Sequence, residues 1–122
     1  MKKPNPRKRS RKSLVRELDG VFSLFIRLRD RHCVTCDSQS NLTCGHLFSR
    51  IAYSTRWRED NCFAQCLSCN LRHEYDPYPF MNYYLKRFGQ DKLDELHRDY
   101  STVRKFSNSE LQELINEYKL KE

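Results

Sequence analysis

Apolar residues along this chain fall into segments of different spacing. Leu14, Leu18, Val21, Phe22, Phe25 and Leu28 recur at the intervals that put side chains on one helix face, which predicts an amphipathic helix over 13–31, weakened locally by Gly20. The stretches Asn41 to Phe48 and Asp60 to Cys66 are short, partly alternating and bounded by polar residues, as the two strands of a hairpin are. A helix is expected to begin near Cys69 or Asn70 and run toward Tyr75, ending before Pro77. Beyond it, Phe80, Tyr84, Leu85 and Phe88 share one helical face before Gly89, and Leu93, Leu96 and Tyr100 share another. Ser107 and Glu110 have capping-box spacing at the start of a last helix that carries Leu111, Leu114, Ile115 and Tyr118. The sum is a small α+β fold in which a hairpin followed by a helix, the ββα-metal unit, carries an N-terminal helix and C-terminal helices.

At 122 residues the chain has the size of one domain, expected over 13–122, with its core at 32–76 and a helical extension at 77–122. Its hydrophobic share, 38%, is low and implies a small core that needs cross-linking from another source. No apolar run reaches membrane-spanning length, so no membrane role is expected.

The net charge of +7 is unevenly placed: eleven Lys and Arg stand against three acids through Arg31. Lys2, Lys3, Arg7, Lys8, Arg9, Arg11 and Lys12, interrupted by Pro4 and Pro6, lack apolar periodicity, so 1–12 is expected to be an arm that is disordered when free. DNA phosphates are its natural partner; a solubilising tail is the plainer alternative. Arg16, Arg27, Arg29 and Arg31 extend this basic track. Arg50, Arg56 and Arg58, in the long segment between the strands, are further candidates for DNA contact.

Two C-x-x-C pairs, Cys33/Cys36 and Cys66/Cys69, have the spacing that turns two thiolates toward one ion. Together they offer the four sulfurs of a structural Zn2+ site. Four ordinary buried cysteines are the alternative. A disulfide framework is disfavoured because no apolar signal segment precedes them and the start of the chain is basic, which predicts a cytoplasmic protein.

Between and after these pairs stand Gly45-His46-Leu47-Phe48, Thr55-Arg56-Trp57, Asp60-Asn61 and Gln65-Cys66-Leu67-Ser68-Cys69-Asn70. In these motifs, over roughly residues 30–100, the chain resembles the phage NinG (Rap) recombination nuclease family. More widely it resembles the HNH superfamily, in the variant braced by zinc knuckles like those of endonuclease VII. The resemblance implies that His46 is the general base, Asn61 the middle asparagine of the motif, and Asn70 a ligand of a catalytic Mg2+ or Mn2+. It also implies a DNA substrate, branched like a Holliday junction or D-loop.

Elementary chemistry is compatible with those roles. Phosphodiester hydrolysis needs an activated water, a counter-charge for the phosphoryl group and help for the leaving alkoxide. An imidazole titrates in the right range to deprotonate water. Asn61 on the partner strand can fix the imidazole, and a hard ion accepts the asparagine carbonyl at position 70. The plainer readings are a buried or zinc-binding His46, a turn at Asp60-Asn61, and Asn70 as a helix cap.

One position departs from the superfamily pattern. Gly45 stands where many such nucleases have an acidic or histidine ligand, and His73, Glu74 or Asp60 are the substitutes within reach. Cys44 and Cys62 read as buried strand residues, and His32 and His97 as surface residues. The expected activity is metal-dependent DNA cleavage. The alternatives are an HNH enzyme that nicks ordinary duplex, and a noncatalytic zinc module that binds nucleic acid. The C-terminal helices either pack on the core or form a homodimer contact.

Overall fold

The computed structural model describes residues 9–122 and has six helices and one two-stranded sheet among them. Helix α1, Arg11–Asp30, begins where the Ser10 side chain accepts the amide of Ser13, and ends at Arg31 in the left-handed region. It therefore starts before Ser13, and Arg11 and Lys12 belong to it rather than to an arm. Leu14, Leu18, Phe22 and Ile26 are its buried stripe; Leu28 is exposed, and Ile26 takes the core position instead. Strands β1, Leu42–His46, and β2, Cys62–Cys66, pair antiparallel with Leu42 opposite Cys66 and His46 opposite Cys62. The segment between them contains a single turn of helix, α2, Tyr53–Arg56.

Helix α3, Leu67–His73, follows β2 without a loop. It begins earlier than Cys69 because the Cys66 sulfur takes the N-cap position and accepts the amide of Cys69. Asn70 is consequently inside the helix and does not cap it. Helices α4, Tyr78–Phe88, α5, Gln90–Tyr100, and α6, Asn108–Leu120, complete the chain. The expected capping box is present: Ser107 Oγ accepts the Glu110 amide and the Glu110 carboxylate accepts the Ser107 amide.

The hairpin divides two hydrophobic clusters. On one side α1 and α6 close over Cys62 and Trp57, with Phe22 against the edge of Tyr118. On the other, Phe63 and Leu47 pack with Phe80 and Tyr84 of α4 and Leu93 and Leu96 of α5. The C-terminal helices thus pack on the core of their own chain. No helix among the described residues is long and apolar enough to cross a membrane.

Candidate metal-dependent active site

The four knuckle sulfurs lie within 4.8 Å of one another. Tetrahedral coordination at a Zn–S distance of about 2.3 Å requires sulfurs about 3.8 Å apart. Cys36 Sγ and Cys66 Sγ are separated by 3.7 Å. The cluster can therefore hold a zinc ion. Burial raises the Cys33 thiol, but hydrogen bonds from the Thr35 hydroxyl and backbone amides outweigh it and bring it down to about 6. Burial pushes the Cys69 thiol up to about 12. The hydrogen bonds around Cys33 thus favour its thiolate, the form that binds a cation.

A cavity of about 750 Å³ opens between α1, the end of β1 and α3. His46, Asn70, His73 and Glu74 all line it, as do Asp19, Ser23, Cys44 and Arg50. The strand end contributes His46, and α3, running back across the hairpin, contributes the other three candidates. His46 Nε2 sits 2.9 Å from the carbonyl oxygen of Arg56. A carbonyl only accepts, so this nitrogen carries the proton and Nδ1 keeps its lone pair. Nδ1 has no hydrogen-bond partner among the described residues. Burial lowers the pKa of this imidazole, against the opposing pull of the Arg56 carbonyl and the Asp19 carboxylate, and so favours the neutral form.

The orientation of Asn70 follows from its neighbour. Thr43 Oγ1 gives its proton to the Gln65 carbonyl at 2.8 Å, so toward Asn70 it can only accept. Asn70 Nδ2 donates to it at 2.9 Å, which leaves Oδ1 as the free, hard ligand atom. Glu74, at the end of α3, is exposed and makes no ion pair among the described residues. His73 is committed differently: Nε2 bonds the Leu47 carbonyl at 2.9 Å, and Nδ1 is buried without a partner. It ties α3 to the end of β1, and with Nε2 donating to that carbonyl the Nδ1 lone pair is left without a partner at a residue that lines the cavity.

Asn61 makes no hydrogen bond to the imidazole. Fully buried, it accepts the Phe48 amide through Oδ1 and donates through Nδ2 to the carbonyls of Phe48 and Thr55. These bonds hold both ends of the inter-strand segment together, and with it the Arg56 carbonyl that orients His46. Asp60 is excluded as a ligand by its own partners, since Arg58 and Lys92 bind its carboxylate. Burial opposes its ionisation, but these cations prevail and lower its pKa.

The expected DNA-binding residues divide in the same way. Arg56 forms a two-bond pair with Asp19, at 3.0 and 2.6 Å, and Arg58 is held by Asp60 and Asp99. Arg29 bonds Asp30 and the carbonyls of Glu59 and Cys62. Those three arginines build the scaffold. Arg9 pairs with Glu17, and Arg11 bonds the Phe106 carbonyl, while Lys12 and Arg50 are exposed. Lys2, Lys3, Arg7 and Lys8 lie outside the described residues.

Gly45 explains the absent acidic side chain. A Cβ there would lie 2.2 Å from Gln65 Oε1, because the Gln65 side chain fills the space beside the strand on its way to Thr35 at 3.4 Å. Sequence reading missed Gln65 and Thr43 in these supporting roles, and it missed Asp19, which joins the cavity only because α1 packs across the hairpin. Asp19 accepts from Arg56 and also from Trp57 Nε1 at 2.9 Å, so it positions the segment rather than offering a free oxygen.

Comparison with known proteins locates the chain among phage proteins. It is similar to "Protein ninG" of Escherichia phage lambda, with 26% identity over 95 residues covering 74% of this chain and 47% of that protein. Similarity of the same extent is found to the proteins of that name from Escherichia phage 933W and Enterobacteria phage VT2-Sa. The chain spans about half the length of these relatives. No solved structure matches it. The family described as "Bacteriophage Lambda NinG protein" matches over residues 1–122, and with that full-length match the chain belongs to the NinG family.

Proposed function

We propose that this protein is a metal-dependent DNA endonuclease of the HNH type, braced by a structural Zn2+ on Cys33, Cys36, Cys66 and Cys69, and acting on branched DNA. The observation that carries the reading is the shared cavity of His46, Asn70 and Glu74, with His46 Nε2–H anchored and Nδ1 unengaged. In this reading His46 Nδ1 takes the proton of the attacking water, and the Arg56 carbonyl keeps the ring in the tautomer that can do so. Asn70 Oδ1 and the Glu74 carboxylate are the oxygen ligands suited to Mg2+ or Mn2+. When bound, such an ion supplies Lewis-acid stabilisation of charge on the phosphoryl group. Arg50 at the cavity is placed to meet a flanking phosphate. Lys12, Arg16 and Arg27 fall on the same helical row of α1 as Asp19 and Ser23, so a strand crossing the cavity would follow cations in both directions. The preference for branched DNA rests on the NinG resemblance.

The test is cleavage of a labelled four-way junction, a flap and a plain duplex, with and without Mg2+, by the parent protein and by His46→Ala. The expected result is junction cleavage that needs the metal and falls by about 10²–10⁴ in the variant, with binding retained. Equal cleavage by parent and variant overturns the assignment. Metal-independent binding without cleavage of any substrate favours the noncatalytic module.

A further inference from the structure

The strand register creates a second cluster of metal-binding atoms. Cys44, His46 and Cys62 each offer one ligand atom, and these atoms lie within 4.8 Å of one another. His46 stands directly opposite Cys62, and Cys44 is two residues earlier on β1, so strand alternation turns all three toward α1. A half-buried and a buried cysteine beside a histidine can be simple packing, a disulfide pair or a metal site. Cys44 is opposite Ala64, one diagonal step from Cys62. Diagonal neighbours are about 7–8 Å apart at Cα, beyond the usual disulfide range of roughly 4.4–6.8 Å. An ion of radius suited to thiolates bridges that gap without moving the strands.

We infer that Cys44, His46 and Cys62 form a second site, for a soft divalent cation such as Zn2+ or Cd2+, distinct from the four-cysteine cluster. Two thiolates and an imidazole select such ions over Mg2+, and three protein ligands leave a fourth position open to water. Cys44 and His46 line the cavity, which gives the ion an entry path, while Cys62 closes the site from the core. Binding displaces two thiol protons to solvent, frees Cys62 Sγ from the Arg56 carbonyl 3.6 Å away, and takes the lone pair of His46 Nδ1, while Nε2 keeps its proton on that carbonyl. With fewer sulfurs, this site fills after the four-cysteine cluster. Its consequence for activity rests on the reading of His46 as general base: a cation held there occupies the imidazole, so excess Zn2+ switches cleavage off.

The experiment titrates the full chain, its first site loaded with Cd2+, with further Cd2+, following thiolate-to-metal absorbance and ¹¹³Cd NMR. The parent is expected to bind two ions with two distinct resonances, one from a four-sulfur and one from a mixed sulfur–nitrogen environment. Cys44→Ala, a change at a half-buried position, is expected to bind one, and Cys62→Ala serves as a second variant. A single resonance from parent protein in excess Cd2+, or two retained by a folded Cys44→Ala, overturns the site. In cleavage assays, Zn2+ in excess should inhibit the parent by at least about tenfold and Cys44→Ala much less, the ratio within each protein being compared. Two bound ions without inhibition would keep the site and overturn its link to His46. Two bound ions in a protein with no cleavage at all would instead count against the endonuclease reading, because the metal count does not depend on activity.

Discussion

Asn70 donates its side-chain amide to the Thr43 hydroxyl at 2.9 Å, and this bond decides which end of Asn70 faces the cavity. Thr43→Val keeps the shape of the strand residue while removing the acceptor. The amide can then turn, and apparent Mg2+ affinity in cleavage should fall about 10–100-fold, the usual effect of losing a partner of a metal ligand. Stability should fall by only about 1 kcal/mol, since the Gln65 carbonyl also loses the Thr43 hydroxyl. Unchanged metal dependence in Thr43→Val would show that Asn70 Oδ1 is not held for a cation.

Gly45 and Gln65 compete for one volume. Gly45→Ala places a methyl 2.2 Å from Gln65 Oε1 and should destabilise the fold by roughly 1–3 kcal/mol, measured by chemical denaturation. The combination with Gln65→Ala should recover much of that loss relative to Gln65→Ala alone. Additive losses in the double variant would mean that the two side chains do not meet.

Much of the fold is legible in the sequence because its signals are local. The Ser107–Glu110 capping box, the stripe Leu14, Leu18 and Phe22, and the paired knuckles each depend on residues within one or two turns. What the chain pattern hides is tertiary. Ser10, a polar residue before a basic one, caps α1 and takes Arg11 and Lys12 into the helix. Cys66 can cap α3 because its sulfur belongs to the four-cysteine cluster and accepts an amide as well. The exposed-looking Arg56 and Arg58 are spoken for by Asp19 and by Asp60 and Asp99, the first and last of these far away in sequence. The residues gathered at the cavity were readable as types, whereas their commitments were not: His73 and Asn61 bond backbone carbonyls, and only the packed structure reveals it.

Asn61→Ala separates positioning from proton transfer. It leaves the part-buried Phe48 amide and two carbonyls without their partners, so roughly 1–3 kcal/mol of stability should be lost. Cleavage should fall with it, since the Arg56 carbonyl belongs to the same segment. Asn61→Asp is a sharper probe: Oδ1 still accepts the Phe48 amide, but the Nδ2 donors are gone and a buried carboxylate faces two carbonyls. This variant should be less stable than Asn61→Ala in neutral buffer and recover at acid pH. Equal stability of the two would argue that the segment is not held as described.

Removal of the structural ion should act on the fold before any reaction. Cys36→Ser or Cys69→Ser is expected to unfold the hairpin region, and a strong chelator should do the same to the parent, both read by circular dichroism beside elemental analysis. Folded protein that contains no zinc would refute the structural role proposed for the four sulfurs.

The pH dependence follows from His46. Burial lowers its pKa in the folded chain below the ordinary value of about 6.5, so over the window between the two values the unfolded chain binds more protons. Native stability from this group is therefore present above about pH 6.5 and declines as pH falls toward the folded value. Cleavage should share the sign: the neutral ring is the base, so the rate rises through the lowered pKa and is level above it. Asp19→Asn removes a carboxylate that raises the His46 pKa, and should move the rise to lower pH while loosening Arg56. Imidazole proton signals followed by NMR through the same range, in parent and variant, assign the titration to His46 independently of turnover. A rate that rises only above pH 7, with His46 already neutral, would show that another group limits the reaction.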